Sequence, residues 1–356
     1  NKSQNHGIIP YFMMYKQLQR WTRISLIVVY LVIAAGATVR MTGSGMGCPD
    51  WPKCFGYLIP PTDAAQLEWK PNTKYSEGNV IINNERLLVA SASFPTNNQF
   101  NSDKWEPYTK HDYAVFDAKH TWIEFINRLL GALSGLAILI LFGFSLKWIQ
   151  KKPIIFIFSL LSLLGILFQA WLGKTVVDSN LMPMKISLHM LMALLLVGFL
   201  LVVRVASKSF GLSKKPSRKI SLLLYSTFAL TLVQIALGIQ VRQYIDTQVV
   251  RWGYDFPQYW LATPERNFYI HRSLSILVLL ANAWLFVRVI KEQLEKVFIR
   301  RILWLIGGEV ALGIAMFYFD FPFATQPLHL VLATLLFGVQ LYWILRINLH
   351  RYDLSF

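Results

Sequence analysis

The feature that most constrains this chain is a series of eight apolar segments, each about 20 residues long. An α-helix of that length crosses the roughly 30 Å hydrocarbon core of a bilayer with its backbone polar groups hydrogen-bonded internally. The composition agrees, since 54% of the residues are hydrophobic and only 15% are charged. The sequence therefore predicts an all-α membrane protein with eight transmembrane helices. The predicted spans are residues 21–41, 122–147, 154–177, 185–204, 220–242, 268–288, 302–319 and 328–346.

The basic residues indicate how these helices are oriented. The net charge is +16, and lysine and arginine concentrate at alternate helix ends, in segments 1–23, 147–152, 204–219 and 288–301 and after residue 345. Cytoplasmic loops are enriched in these residues, so we expect an inner-membrane protein with both termini in the cytoplasm. The charge is thereby explained as a topology signal, and a nucleic-acid partner is not expected. The first span lacks a small-residue cleavage site and is not expected to be a cleaved signal sequence.

The second half of the chain repeats the first. EFINRLLG at 124–131 aligns with FYIHRSLS at 268–275, and QAWLG before His189 aligns with EVALG before His329. In both of the latter motifs the final glycine lies 16 residues before the histidine. Four helices return a chain to its starting side of the membrane, so the repeat predicts two tandem four-helix bundles in the same orientation.

The repeat also locates a long first outer loop. GATVR at 36–40 matches GIQVR at 238–242 with an offset 58 residues larger than the other matches, which assigns an insertion to the loop at 42–119. That loop is polar and contains one candidate strand pair, NVIINN and RLLVASASF. The predicted segments are a cytoplasmic N-terminal segment 1–20, an N-terminal four-helix unit 21–204, a cytoplasmic linker 205–219, a C-terminal four-helix unit 220–346 and a cytoplasmic tail 347–356.

Four of the seven histidines lie near the outward ends of helices two, four, six and eight. They are His120, His189, His271 and His329. One histidine at such a place is equally well explained by a hydrogen bond to water or to a backbone carbonyl. Four at one membrane depth indicate a binding function, because polar side chains at that depth are costly.

His271 and His329 belong to the same unit and can face each other across its interior. Two neutral imidazoles suit the axial positions of a heme iron, whereas a zinc site would need a third or fourth ligand. Arg272 is a candidate partner for a heme propionate, or else an anchor of its helix at the lipid headgroups. Glu309, inside span seven, is interpreted as a structural polar contact.

The first unit differs from the second at one of these positions. His189 matches His329, but Asn127 stands where the second unit has His271. Asparagine is a poor heme ligand. His120 lies two helical turns, roughly 10 Å, before Asn127 on nearly the same helix face, and it is the predicted replacement ligand. Ligation by His189 alone, with an open position for an exchangeable ligand, stays open as the alternative.

Glu124 lies one helical turn after His120 and therefore on the same side of helix two. It is either a catalytic carboxylate or an ion-pair partner of Arg128, four residues later. Arg128 aligns with Arg272 and is a second candidate partner for a heme propionate.

Cys48 and Cys54, the two cysteines of the chain, lie six residues apart in TGSGMGCPDWPKCFG at the start of the outer loop. Two cysteines at this spacing on the oxidising side of a membrane predict a disulfide. The lack of a nearby histidine argues against a metal site. A redox-active pair stays open as an alternative, because a disulfide in a short strained loop is easily reduced.

The same loop motif resembles the signature of bacterial heme A synthases, and the resemblance extends over the eight helices. EFINR in helix two, LH at His189, HR at His271 and PLH at His329 follow in the order of the family. The resemblance implies a resident heme b on His271 and His329, the substrate heme O in the N-terminal unit, and Glu124 as the essential glutamate of helix two. Asn127 departs from the family, which commonly has histidine at that position.

The activity that the resemblance implies is oxidation of the C8 methyl group of heme O to a formyl group, giving heme A for cytochrome oxidase. Two hydroxylations and loss of water would accomplish it. The implied partners are heme O, membrane lipid, the heme O synthase and an electron donor, and the oligomeric state stays open. Two alternatives also stay open: a diheme membrane cytochrome b that transfers electrons, and a non-enzymatic heme carrier or oxidase assembly factor.

Overall fold

The computed structural model describes residues 5–48, 50–84, 86–108, 116–208 and 215–349. These contain eight α-helices: α1 (Asn5–Met41), α2 (Ala118–Ser145), α3 (Pro153–Asp178), α4 (Pro183–Ala206), α5 (Arg218–Trp252), α6 (Arg266–Lys291), α7 (Val297–Tyr318) and α8 (Thr325–Leu349). Seven of the eight are long and apolar enough to cross a membrane, which supports a mostly helical, multi-pass membrane protein. The exception is α7, which carries Arg300 and Arg301 near its start and Glu309 in its middle.

Two helices extend well beyond the apolar runs that predict them. Helix α1 begins at Asn5 rather than at 21, and α5 ends at Trp252 rather than at 242. The extension of α5 is stabilised by packing, because Ile245 and Val249, one turn apart, form a buried cluster with Trp260. Parts of the predicted linker and tail, with Lys2, Lys214 and Arg351, lie outside the described residues.

The helices pack mainly with their neighbours along the chain. Helix α1 contacts α2 and α4, α2 contacts α3, and α3 contacts α4; the same four pairings recur among α5, α6, α7 and α8. The two halves meet where α8 contacts α1 and α4, and where α4 contacts α5. One buried apolar cluster includes Ile138 and Leu200 of the first half together with Phe337 of α8, and another, in the second half, includes Leu285 and Ile302.

The first outer loop folds into two small antiparallel sheets. Its strands are β1 (Lys74–Tyr75), β2 (Val80–Asn83), β3 (Arg86–Ala90), β4 (Phe94–Pro95) and β5 (Trp105–Pro107). One sheet has the order β2-β3-β5 and the other pairs β1 with β4. The predicted pairing of β2 with β3 is confirmed, with Ile81 opposite Leu88. The other three strands were missed because each has only two or three residues, too few to show an alternating pattern.

An aromatic cluster holds the sheets together. Tyr75, Phe94 and Trp105 are buried, and the Trp105 ring makes edge contacts with both of the others at centroid distances of 5.1 and 5.4 Å. A second cluster, which includes Cys48, Cys54 and Phe55, lies between these strands and the start of α2, where Phe125 packs against it. The loop is therefore a folded module attached to the outer end of α2.

Candidate functional site

The structure brings His271 of α6 and His329 of α8 together in the interior of the second half. Their ring centroids lie 6.5 Å apart, and the ring planes are inclined at 76°. An imidazole nitrogen binds a metal at about 2.0 Å and lies about 1.1 Å from its ring centre, so two imidazoles on one iron have centres roughly 6 Å apart. The observed separation therefore fits a single iron between the two rings.

Polar side chains on the neighbouring helices hold these two histidines. Oε2 of Glu309 on α7 lies 3.0 Å from Nδ1 of His329, and the Gln234 side chain on α5 donates to the backbone carbonyl of His271 at 3.0 Å. A carboxylate on the second nitrogen of a ligating histidine fixes its tautomer and raises its basicity. Glu309, interpreted from sequence as a structural contact, is thus placed where it can orient His329.

A glycine on the neighbouring helix faces each of these imidazoles. A β-carbon on Gly238 of α5 would lie 3.1 Å from Cε1 of His271, and one on Gly313 of α7 would lie 4.0 Å from Cε1 of His329. The first distance is shorter than ordinary carbon–carbon contact, about 3.5–4.0 Å. The lack of a side chain at Gly238 is therefore what lets α5 approach the His271 ring.

The first half repeats this arrangement with one change. A β-carbon on Gly173 of α3 would lie 3.4 Å from Cε1 of His189 on α4. The Gln169 side chain donates to the backbone carbonyl of His189 at 2.9 Å. On α2, the residue facing the equivalent glycine is Asn127, whose Oδ1 lies 3.7 Å from a β-carbon on Gly36. The structure thus places Asn127 of α2 as it places His271 of α6.

His120 lies farther out, in the first turn of α2. Its Nδ1 is 2.9 Å from the hydroxyl of Ser44, just beyond the end of α1. Its backbone N–H donates to the N-cap residue Asp117, and this hydrogen bond lowers the pKa of that carboxyl group. The replacement ligand predicted from sequence is therefore engaged with the base of the outer loop.

Glu124 and Arg128 form an ion pair, and both hold the outer loop against α2. Glu124 is buried and accepts the backbone N–H of Cys48 at 2.8 Å. Arg128 donates to the carbonyls of Cys48, Asp50 and Lys53 at 2.7 to 3.1 Å. With the ion pair, these bonds use four of the five N–H groups of the guanidinium, so Arg128 is committed to the loop.

The predicted disulfide between Cys48 and Cys54 is confirmed. Both cysteines are buried, and the Asp50 carboxylate braces the loop between them by accepting the backbone N–H groups of Phe55 and Gly56 at 2.6 and 2.8 Å. An attacking thiolate needs access to a sulfur, so this burial favours a structural bond over a redox-active pair.

The close approach of the loop to α2 depends on Gly47. A β-carbon at this position would lie 2.4 Å from the carbonyl oxygen of His120, where no side chain fits. Because the residue is glycine, its own carbonyl can accept the Thr121 hydroxyl at 2.8 Å. The signature loop is thereby held to the first turns of α2.

Arg40 of GATVR and Arg242 of GIQVR meet at the interface between the halves. No role was predicted for either arginine from the sequence. Arg40 of α1 and Arg242 of α5 both pair with Asp246, the latter pair at 3.0 Å. Each arginine is four residues, one turn, beyond the glycine that faces Asn127 or His271. Both side chains are largely buried, and the cluster carries one positive charge in excess.

Arg272, the other arginine proposed from sequence, is exposed on α6, with its guanidinium 5.8 Å from the ring centre of Phe317. This is a cation–π contact on the outside of the helix. The repeated motif was the available signal for Arg40 and Arg242. It could not reveal Asp246, which lies beyond the predicted end of span five.

The profile of the COX15-CtaA family, described as cytochrome oxidase assembly protein, matches residues 19–83 and 68–341. A heme A synthase of Shewanella oneidensis is 29% identical over 54% of this chain and 46% of its own length. Heme A synthases of Bartonella tribocorum and Wolbachia pipientis are 25% and 24% identical, covering 91% and 92% of this chain and 91% and 96% of theirs.

Proposed function

Because the chain belongs to the COX15-CtaA family of cytochrome oxidase assembly proteins, we propose that it is a heme A synthase, an oxidoreductase that converts the C8 methyl group of heme O to a formyl group. The observation that carries this proposal is the histidine pair of the second half together with its altered copy in the first. A permanent electron carrier needs fixed ligation on both faces, whereas a substrate heme has to enter and leave.

In this proposal His271 and His329 would hold a resident heme b by its iron. When bound, heme b supplies one-electron transfer at the outer side of the membrane. The Glu309 carboxylate, 3.0 Å from Nδ1 of His329, would orient that ring when the heme is bound, and Gly238 provides the space beside His271. The 6.5 Å separation of the two rings supports this ligand pair.

His189 is the proposed ligand of the substrate heme O, because it occupies in the first half the position of His329. Glu124, three residues before Asn127, is the proposed catalytic carboxylate. Each carboxylate oxygen has two lone pairs, so Glu124 would be able to hold Arg128 and the Cys48 amide and still take up or give back a proton during the hydroxylations.

The carboxylates of heme are assigned to Arg40 and Arg242 rather than to Arg128 and Arg272. Both lie one turn outward of the glycines facing Asn127 and His271, and with Asp246 they retain one unneutralised positive charge. A heme propionate would neutralise this positive charge and form a charge-assisted hydrogen bond with an arginine. Arg128 is committed to the outer loop, and Arg272 is exposed and contacts the ring of Phe317.

We further propose that α7 is an eighth span, so that the chain forms two tandem four-helix units in the inner membrane with both termini in the cytoplasm. The contacts of α7 with α6 and α8 support the count, because they match those of α3 with α2 and α4. The outer loop module then lies on the extracytoplasmic side, where its disulfide can form.

The test is to express the protein with a source of heme O in a host lacking its own heme A synthase and to chromatograph the extracted hemes. Heme A beside heme b is expected, and His189→Ala should keep heme b while producing no heme A. A diheme cytochrome b would contain only heme b, and a carrier would return heme O unmodified. Either of those two results would refute the proposed activity.

A further inference from the structure

We infer that, within the proposed function, the substrate heme of this protein is held by His189 alone, and that Asn127 faces an open coordination position that takes a small neutral ligand such as dioxygen or carbon monoxide. Four glycines at equivalent places in the two halves face side chains of neighbouring helices. A β-carbon added at any of these glycines would lie 3.1 to 4.0 Å from a side chain of the next helix. The four are Gly36, Gly173, Gly238 and Gly313.

Three of these four side chains are imidazoles and the fourth is the Asn127 amide. The correspondence is also exact in sequence, because Asn127 precedes Arg128 as His271 precedes Arg272. The backbone of α2 therefore presents residue 127 at the level where α6 presents a ligand. An amide does not replace imidazole there, since imidazole is the nitrogen donor suited to iron.

The Asn127 amide is also unsatisfied. Its Oδ1 is buried and has no hydrogen-bond partner among the residues that the structure describes. Leaving such a group without a partner costs about 1–3 kcal/mol. The cost is recovered when a polar ligand is bound, and the amide can donate from its nitrogen or accept at its oxygen.

His120 is not brought to this level. It is seven residues, roughly 10 Å, nearer the outer end of α2. Its Nδ1 is already 2.9 Å from the Ser44 hydroxyl, and Asp117 caps the same turn. Moving the ring inward would break the contact with Ser44 and pull α2 away from the loop. His120 is therefore assigned to the attachment of the loop, contrary to the prediction from sequence.

The chemical consequence is that the two hemes differ in what they can bind. A heme with two histidines has no free axial position, whereas a heme with one histidine accepts an external ligand on its other face. On that face Asn127 has a smaller side chain than a histidine and lies opposite a glycine, and its amide would provide a hydrogen bond to the ligand. The open position is thus confined to the half that carries the substrate.

The test is a carbon monoxide difference spectrum of the dithionite-reduced full-length protein loaded with heme O, with heme b and heme O counted by extraction. The wild type should bind roughly one carbon monoxide per two hemes. Asn127→His should abolish that binding and convert the second heme to a low-spin spectrum. Asn127→Ala should keep the binding but shift the carbon monoxide stretching frequency, because the amide is lost, and His120→Ala should leave both unchanged.

The outcomes separate this inference from the proposed function. A second heme that binds no carbon monoxide in the wild type, or binds it only in His120→Ala, would overturn the single-histidine assignment while heme A formation could still be measured. Failure to bind heme O at all would refute the proposed function and this inference together. Normal carbon monoxide binding without heme A formation would refute the proposed activity and leave the coordination as inferred.

Discussion

Replacing Gly238 by alanine tests the link between close helix packing and the histidine pair. The added β-carbon would lie 3.1 Å from Cε1 of His271, about 0.4 Å short of ordinary carbon–carbon contact. Metal sites tolerate displacement of a ligand by only about 0.2 Å. The His271 ring must therefore move by more than its position as an axial ligand allows.

Overpacking of this kind costs about 1–3 kcal/mol, whereas glycine to alanine in a helix contributes about 1 kcal/mol in the opposite direction. We expect the fold to survive and heme b to be held more weakly by about 1–2 kcal/mol, a factor of 5 to 30. The measurement is the rate at which heme b passes from the purified variant to an excess of apo-globin.

Gly313→Ala is the matched control, because it makes the same chemical change opposite the other ligand. There the β-carbon would lie 4.0 Å from Cε1 of His329, an ordinary contact, so heme b should be held as in the wild type. Equal transfer rates for Gly238→Ala and Gly313→Ala would show that the approach of α5 to His271 does not govern heme retention.

Three further changes test other parts of the site. Glu309→Gln should retain heme b but raise its reduction potential, because a less basic His329 stabilises ferric iron less; an unchanged potential in a redox titration would argue that Glu309 does not orient that ligand. Glu124→Gln should keep heme b and stop heme A formation, and a normal yield of heme A in extracts would leave Glu124 a loop anchor only. Cys48 should resist thiol labelling in the unreduced protein and react after unfolding with reductant, whereas labelling without reductant would contradict the disulfide.

The sequence predicts the parts of this structure that follow from local pattern. Apolar length located the helices, and the short spacing from Cys48 to Cys54 predicted their disulfide. The internal repeat matched His189 with His329, because each lies 16 residues after a glycine. The position of His271 and His329 at the outward ends of two helices of one unit predicted that they face each other. These features depend on lengths, spacings and repeats that can be read directly from the order of residues.

The remaining features depend on long-range contacts that no local pattern specifies. Arg128 looked available for a ligand, yet its guanidinium is committed to carbonyl groups of a loop whose path the sequence does not disclose. His120 had the right residue type and helix face, but the hydroxyl of Ser44 lies 76 residues away in sequence. The pair between Arg40 and Asp246 spans 206 residues and the two halves.

Because of the pair between Arg40 and Asp246, the two halves should differ in stability when they are separated. Asp246 and Arg242 belong to the same helix, so the C-terminal half contains its own counter-ion, whereas Arg40 obtains its carboxylate from the other half. Severed from its companion, the N-terminal half would lose the carboxylate that neutralises Arg40. Chain dissection should therefore yield a C-terminal fragment that survives alone and an N-terminal fragment that persists only when both are co-expressed.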